Sequence, residues 1–247
     1  IVGAQLEDHD AGGSNAASNA GSAYIFKKQT DGTWSQIQKI VSGDREVSGF
    51  FGSSADIDGD YAVVGAYNQN SGRGAAYIFL RTGDTWAQQA KIVASRPGSN
   101  DFFGWSVAIS GDTVVVGARG EDEDASEGNT ASAAGSAYVF TRSGTSWSQQ
   151  QKIVASDRAA GDYFGYSVDI SGETIIVGAN LEAHDAAGNN SISNAGSAYV
   201  FTRSGSTWSQ QQKIVASDRA TGHDFGTRVA IHDDVAVVGA PGDGTDD

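Results

Sequence analysis

The chain has 247 residues, no cysteine, and a formal net charge of -14 from 30 acidic and 16 basic residues. Without cysteine there is neither a disulfide framework nor a thiolate metal site, so any cross-link beyond packing has to be an oxygen-ligated ion. The acidic balance argues against nucleic acid, whose phosphates need clustered Lys and Arg, and no apolar run approaches the roughly 20 residues of a membrane-spanning helix.

The first element, Ile1-Val2-Gly3-Ala4, is the end of a strand whose glycine recurs at Gly65, Gly117, Gly178 and Gly239, in steps of 62, 52, 61 and 61 residues. The chain therefore starts within a repeat and reads as a section of something longer. Trp34, Trp86, Trp147 and Trp208 step by 52, 61 and 61, as do Gly52, Gly104, Gly165 and Gly226 of the Phe-Gly pairs. One register runs throughout, with the period of a propeller blade.

Each full unit reads as four short strands, a to d, separated by turn signals. In the third unit, strand a is Trp105 to Ile109, and the Ser110-Gly111-Asp112 turn leads to strand b, Thr113 to Ala118. Strands b and c (Ala137 to Thr141) are apolar on both faces, as strands covered on both sides are. Strand d, Trp147 to Ala155, is polar from Ser148 to Lys152 and reads as the outermost strand, its lysine guarding an open edge. A gradient from apolar b to polar d is what radial packing of blades around an axis requires. It predicts an all-β fold, a β-propeller of four-stranded antiparallel blades.

The segments FGWSVAISGDTVVVGA (Phe103 to Ala118) and FGTRVAIHDDVAVVGAP (Phe225 to Pro241) resemble the FG-GAP repeats of integrin-like β-propellers, and the resemblance covers nearly the whole chain. It implies a propeller, usually of seven blades and usually extracellular, with calcium in an Asp-rich turn between strands a and b. This chain has four Phe-Gly starts, four Tyr-bearing c strands and four Trp-bearing d strands, but five b strands. Either the C-terminal a and b strands join the N-terminal c and d strands in a four-bladed ring, leaving Ile1 to Ala4 over, or the chain is a section of a longer or seven-bladed array. The ring is the preferred reading, as one domain over 1–247 with repeats at 1–49, 50–101, 102–162, 163–223 and 224–247.

Three of the b-to-c loops run 18 residues between flanking glycines, whereas the second runs nine. The long ones keep one register: Glu7, Glu121 and Glu182 align, as do Asp10, Asp124 and Asp185, and Asn15, Asn129 and Asn190. Carboxylate and amide oxygens at fixed offsets suit a hard cation, and calcium is the expected cofactor. Recent duplication of solvated loops gives the same alignment. The d-to-a connections emerge on the same face and carry Asp44, Asp157 and Asp218 at one position and Asp101 and Asp162 at another. Arg96 replaces the first in the unit whose loop is short, a joint loss that points to a shared site. The expected calcium ligands are therefore the nine loop residues with Asp157, Asp162 and Asp218.

The Asp-rich turn of the family is matched only by Asp56, Asp58 and Asp60, which read equally as an Asp-Gly hairpin turn or a secondary metal site. The c-to-d turns on the opposite face carry Lys27, Lys28, Arg81, Arg142 and Arg203. One acidic and one basic face suggest stacking of like propeller units into a filament or adhesive array, unless these are only solvated turn charges. The Tyr and Trp that recur once per unit read as core, while Trp105 stands near the axis where a glycan can reach it. No GxSxG, P-loop or HExxH pattern is present, and the chain reads as no enzyme. The expectation is an extracellular, calcium-stabilised propeller with a structural, adhesive or self-assembling role, partnered by like units or by an extracellular protein or glycan. A carbohydrate-binding propeller is the alternative, and a hydrolase stands third.

Overall fold

The computed structural model describes residues 1–242, and its strands follow one another as antiparallel meanders. A three-stranded sheet opens the chain: β1 (Val2–Ala4), β2 (Ser22–Lys28) and β3 (Trp34–Ile40). The next sheet holds β4 (Phe51–Asp58), β5 (Tyr61–Ala66), β6 (Ala75–Thr82) and β7 (Thr85–Ile92), with the single helical turn α1 (Gln69–Gly72) between β5 and β6. The third has β8 (Phe103–Ser110), β9 (Thr113–Ala118), β10 (Ser136–Ser143) and β11 (Ser146–Ile153), and the fourth has β12 (Phe164–Ser171), β13 (Thr174–Ala179), β14 (Ser197–Ser204) and β15 (Thr207–Ile214). A two-stranded sheet, β16 (Arg228–His232) and β17 (Val235–Gly239), ends the described chain.

Three sheets are thus complete a-b-c-d blades, flanked by b-c-d and a-b sheets, an arrangement consistent with four propeller blades. The strand left over by the sequence reading has a place. β1 fills the b position of the first blade, pairing Val2 with Tyr24 and Ala4 with Ser22. Because β1 holds that edge of β2, no hydrogen-bonded ladder joins β17 to β2 among the described residues.

Every residue of β9 is buried, as are the first five of β10, because blades pack on both of their faces. The cores lie between blades rather than within them: Val63 and Ile78 of the second blade meet Phe103, Val114, Val116 and Tyr138 of the third. The Phe-Gly pair builds these seams. Phe103 is fully buried and meets Tyr138 and Phe140 edge-on, with ring centroids 5.4 and 5.9 Å apart. Gly104 has φ +89, and a Cβ there would sit 2.3 Å from the carbonyl oxygen of Ala75. The backbone of the preceding blade runs where a side chain would be, so only glycine fits.

The polar d strands also face a neighbour. Gln38 of β3 exchanges two hydrogen bonds with the backbone of Trp86, and Gln151 of β11 does the same with Trp208. The indole N–H groups of Trp147 and Trp208 donate to Gln89 and Gln150 of the preceding blade. Trp86, Trp147 and Trp208 are thus each engaged by the blade before them. Trp86 and Trp208 are buried as expected, whereas Trp34, on the first blade, is 67% exposed.

Candidate functional site

At the base of each long loop, the aligned glutamate meets the lysine of strand d. Glu182 is fully buried, and Lys213 Nζ lies 2.9 Å from its Oε2 while Ser197 Oγ donates to the same oxygen at 2.6 Å. Lys213 also reaches Asp157 at 2.7 Å, and the Tyr199 hydroxyl donates to Asp157 at 2.9 Å. In the third blade Glu121 takes the Tyr138 hydroxyl at 2.6 Å and Lys152 at 3.2 Å. In the first, Lys39 lies 2.7 Å from Glu7. The second blade has the short loop and no such glutamate, so Lys91 and the Tyr77 hydroxyl both turn to Asp44, at 2.6 and 2.7 Å. Lys152 and Lys213 are therefore buried counter-ions and not edge guards.

Burial dominates the electrostatics at the base of the third blade. Glu121 is pushed up to about 7, burial outweighing the Tyr138 hydroxyl and Lys152, and its hydrogen bond holds Glu123 below the usual carboxylate range. Burial also pushes Asp101 and Asp162 up to about 6. Carboxylate oxygens of Glu121, Glu123 and Glu127 lie within 4.8 Å of one another, an all-oxygen group able to hold a metal ion. Lys152 faces the same group, 3.4 Å from Glu127.

The expected aspartate and asparagine ligands meet each other at the loop tips instead. Asn15 Nδ2 donates to Asp10, Asn129 Nδ2 to Asp124 and Asn190 Nδ2 to Asp185, at 2.5, 2.6 and 2.5 Å. The second aspartate oxygen caps backbone N–H groups of Gly12 and Ser14, of Ser126 and Gly128, and of Ala187 and Asn189. Such donors hold the three carboxylates below their ordinary range, Asp124 furthest, led by the Ser14, Ser126 and Asn189 bonds. The loop glutamates and aspartates share no partner, so each aligned set divides between a buried base and a polar tip. Of the connector residues, Asp157 joins a base, Asp162 caps Ala159 N at 2.6 Å within its own turn, and Asp218 is exposed.

A third set holds the loops, one the sequence reading passed over. Arg45, Arg158 and Arg219 each donate to two loop carbonyls: Asn15 and Asp8, Asn129 and Asp122, and Asn190 and Ala183. Each clamps the long loop of its own blade. The short-loop blade has Pro97 at that position, and this pairing of Arg with long loop and Pro with short loop was visible in the sequence. The joint loss thus reflects the arginine clamp. The connector aspartate serves the next blade, Asp44 reaching Lys91 and Asp157 reaching Lys213.

The Asp-rich turn fastens blades together. Asp56 accepts from Ile57 N and, across the seam, from Ile109 N at 2.8 Å each, and Asp58 accepts from Gly111 N at 2.7 Å. Asp60 pairs with Arg81 at 2.5 Å. Arg142 and Arg203 likewise pair with Asp112 and Glu173, and Lys27 with Asp84. Four of the five cations that read as a basic face, all but Lys28, are thus paired with acids of the neighbouring a-to-b and c-to-d turns.

Strands β4, β8, β12 and β16 surround a cavity of about 400 Å³, which places Trp105 on the axis with Tyr67, Tyr166, Ser106 and Arg228. Trp105 lies 4.8 Å from Tyr67 and 5.5 Å from Tyr166, and the Arg119 guanidinium covers it at 3.8 Å.

Blades that repeat a Phe plug and a close-approach Gly around an axial cavity define a repeat propeller. The FG-GAP repeat family matches residues 34–79, 86–140, 147–201 and 208–247, and the chain belongs to that family. Its repeats form propeller modules found generally in adhesion or structural proteins, are typical of extracellular proteins and often bind calcium. No curated protein matches the chain. No helix among the described residues is long and apolar enough to cross a membrane.

Proposed function

We propose that the chain is a non-catalytic propeller module of an extracellular or cell-surface protein, with a structural or adhesive role carried by its long-loop face. The observation behind this reading is the threefold restraint of each long loop, by a glutamate–lysine base, an aspartate–asparagine tip and an arginine clamp. A surface ordered before contact loses little conformational freedom on binding, which favours a partner-facing role. The buried loop glutamates are committed, Glu121 to Lys152 and Tyr138 and Glu182 to Lys213 and Ser197, which argues for support rather than acid–base chemistry. The partner is a like propeller unit or another extracellular protein. Pull-down of cell-surface protein by the wild-type chain, lost when the three loops are replaced by the short 66–74 loop, is the expected result. Retained capture by the short-loop variant, shown folded by circular dichroism, overturns it.

Calcium enters this reading at the third blade. Glu121, Glu123 and Glu127 supply hard oxygen ligands, with Lys152 competing for them, whereas the first and fourth bases engage Lys39 and Lys213 without such a group. An ion held by the folded loop raises stability by mass action. The expected result is a melting temperature that rises with calcium, falls with chelator, and loses both responses in Glu127→Gln. Identical curves remove the ion and leave the propeller reading standing. Light scattering with and without calcium tests like-unit assembly, and monomers under both conditions overturn it.

A further inference from the structure

We infer that the axial cavity binds an acidic saccharide, a sugar ring bearing a carboxylate such as a hexuronate. The chain carries 30 acidic and 16 basic residues, yet among the described residues no Asp or Glu lines this cavity, whereas Arg228 does. Trp105, Tyr67 and Tyr166 give it aromatic faces, and Ser53 and Ser106 give it hydroxyl oxygens. A volume of about 400 Å³ is within the range of small-ligand sites, large enough for a sugar unit.

Arg119 is not a lining residue, but it packs against one, Trp105, and adds a second cation next to the cavity wall. It follows the last residue of β9, and its guanidinium carbon sits 3.8 Å from the Trp105 ring centroid, 4.9 Å from Tyr163 and 5.0 Å from Phe102. Its Nε is buried without a hydrogen-bond partner, and among the described residues Arg119 makes no ion pair. The Nε of Arg45, Arg142, Arg158 and Arg219 is without a partner too, but their terminal nitrogens are engaged. Arg81, Arg142 and Arg203 hold carboxylates, and Arg45, Arg158 and Arg219 hold carbonyls. A guanidinium held against aromatic rings and without an ion pair still has N–H groups to offer a planar anion. Ring faces for the apolar side of a sugar, hydroxyls for its hydroxyls and the lining Arg228, with Arg119 against Trp105, for its carboxylate describe one ligand chemistry. These residues are separate from the loop carboxylates, so the inference stands apart from the calcium reading.

The test is titration of the whole chain, its tryptophans labelled with 5-fluorotryptophan, with a uronic-acid oligosaccharide. A neutral oligosaccharide of equal length and a polyglutamate peptide serve as comparisons. The expected result is a fluorine shift at Trp105 with the uronate alone, and binding weakened about tenfold or more by Arg119→Gln or Arg228→Gln and by added salt. Arg119→Lys, which retains charge without the planar fork, is expected to fall between. Thermal melts of each variant separate lost binding from lost folding. Equal binding of the neutral sugar, equal or tighter binding of polyglutamate, unchanged affinity in both glutamine variants, or no shift with uronate each overturns the inference.

Discussion

Lys213 Nζ and Glu182 Oε2 lie 2.9 Å apart with side-chain exposures of 4% and 0%, an ion pair sealed inside the fourth blade. Its partners are saturated: Asp157 takes the lysine as well, and Ser197 and His184 donate to the glutamate. Removing one member strands the other. Lys213→Met is therefore expected to cost about 3–5 kcal/mol, read by urea unfolding, while Lys39→Met at the more open first-blade pair costs about 1 kcal/mol or less. Equal losses would show that burial does not set the value of these pairs.

Arg158 donates to the carbonyls of Asn129 and Asp122 and so ties the loop to its connector. Arg158→Ala is expected to lower stability by about 2 kcal/mol, from two charge-assisted hydrogen bonds that are partly open to water. Limited proteolysis should then cut between 122 and 129 first. The converse Pro97→Arg should gain nothing, because the short loop offers no carbonyls at that place.

Gly104 allows the second and third blades to touch backbone to backbone. Gly104→Ala meets the Ala75 carbonyl at 2.3 Å and a φ of +89 together, so a loss of more than about 3 kcal/mol is expected. Gly111 is also at positive φ, but nothing lies within 4 Å of where its Cβ would stand, so its change to Ala should cost only about 1 kcal/mol. Chemical denaturation of the two variants distinguishes seam from turn.

Asp101 and Asp162 are pushed up to about 6 and Glu121 to about 7 by burial. Raised acids bind protons more tightly in the folded chain, so their contribution is fully present below the unfolded values and is lost as pH rises through 6 to 7. Asp10, Asp124 and Asp185 are lowered, and their contribution disappears only in acid, below their ordinary range. Stability should therefore be greater near pH ~5 than near pH ~8 and fall again below pH ~4. Glu121→Gln should flatten the profile between about 6 and 7; an unchanged slope there would place the titration elsewhere.

The repeat, the strand order and the Phe-Gly seam were legible because they are local or periodic. A b strand apolar on both faces, as in Thr113 to Ala118, has to be covered on both sides, and a Gly at every seam marks a close approach. The loops were harder. Alignment showed that Glu121, Asp124 and Asn129 matter together, but an acid written beside an asparagine does not say whether both face an ion or one another. Asn129 donates to Asp124, and Glu121 turns inward to Tyr138.

By itself the sequence determined an all-β repeat protein of the FG-GAP type, because hydrophobic alternation and glycine spacing act within a strand and its next neighbour. Only the tertiary structure decided what the charges do. Asp44 and Lys91 are 47 residues apart and Asp157 and Lys213 are 56 apart, each pair joining one blade to the next. Blade packing, and not spacing along the chain, brings such groups within 3 Å, and around Lys213 it also removes the water that would otherwise screen the charge. That is why a lysine on a polar strand became a buried counter-ion, and why an arginine in a plain connector became the clamp of a loop.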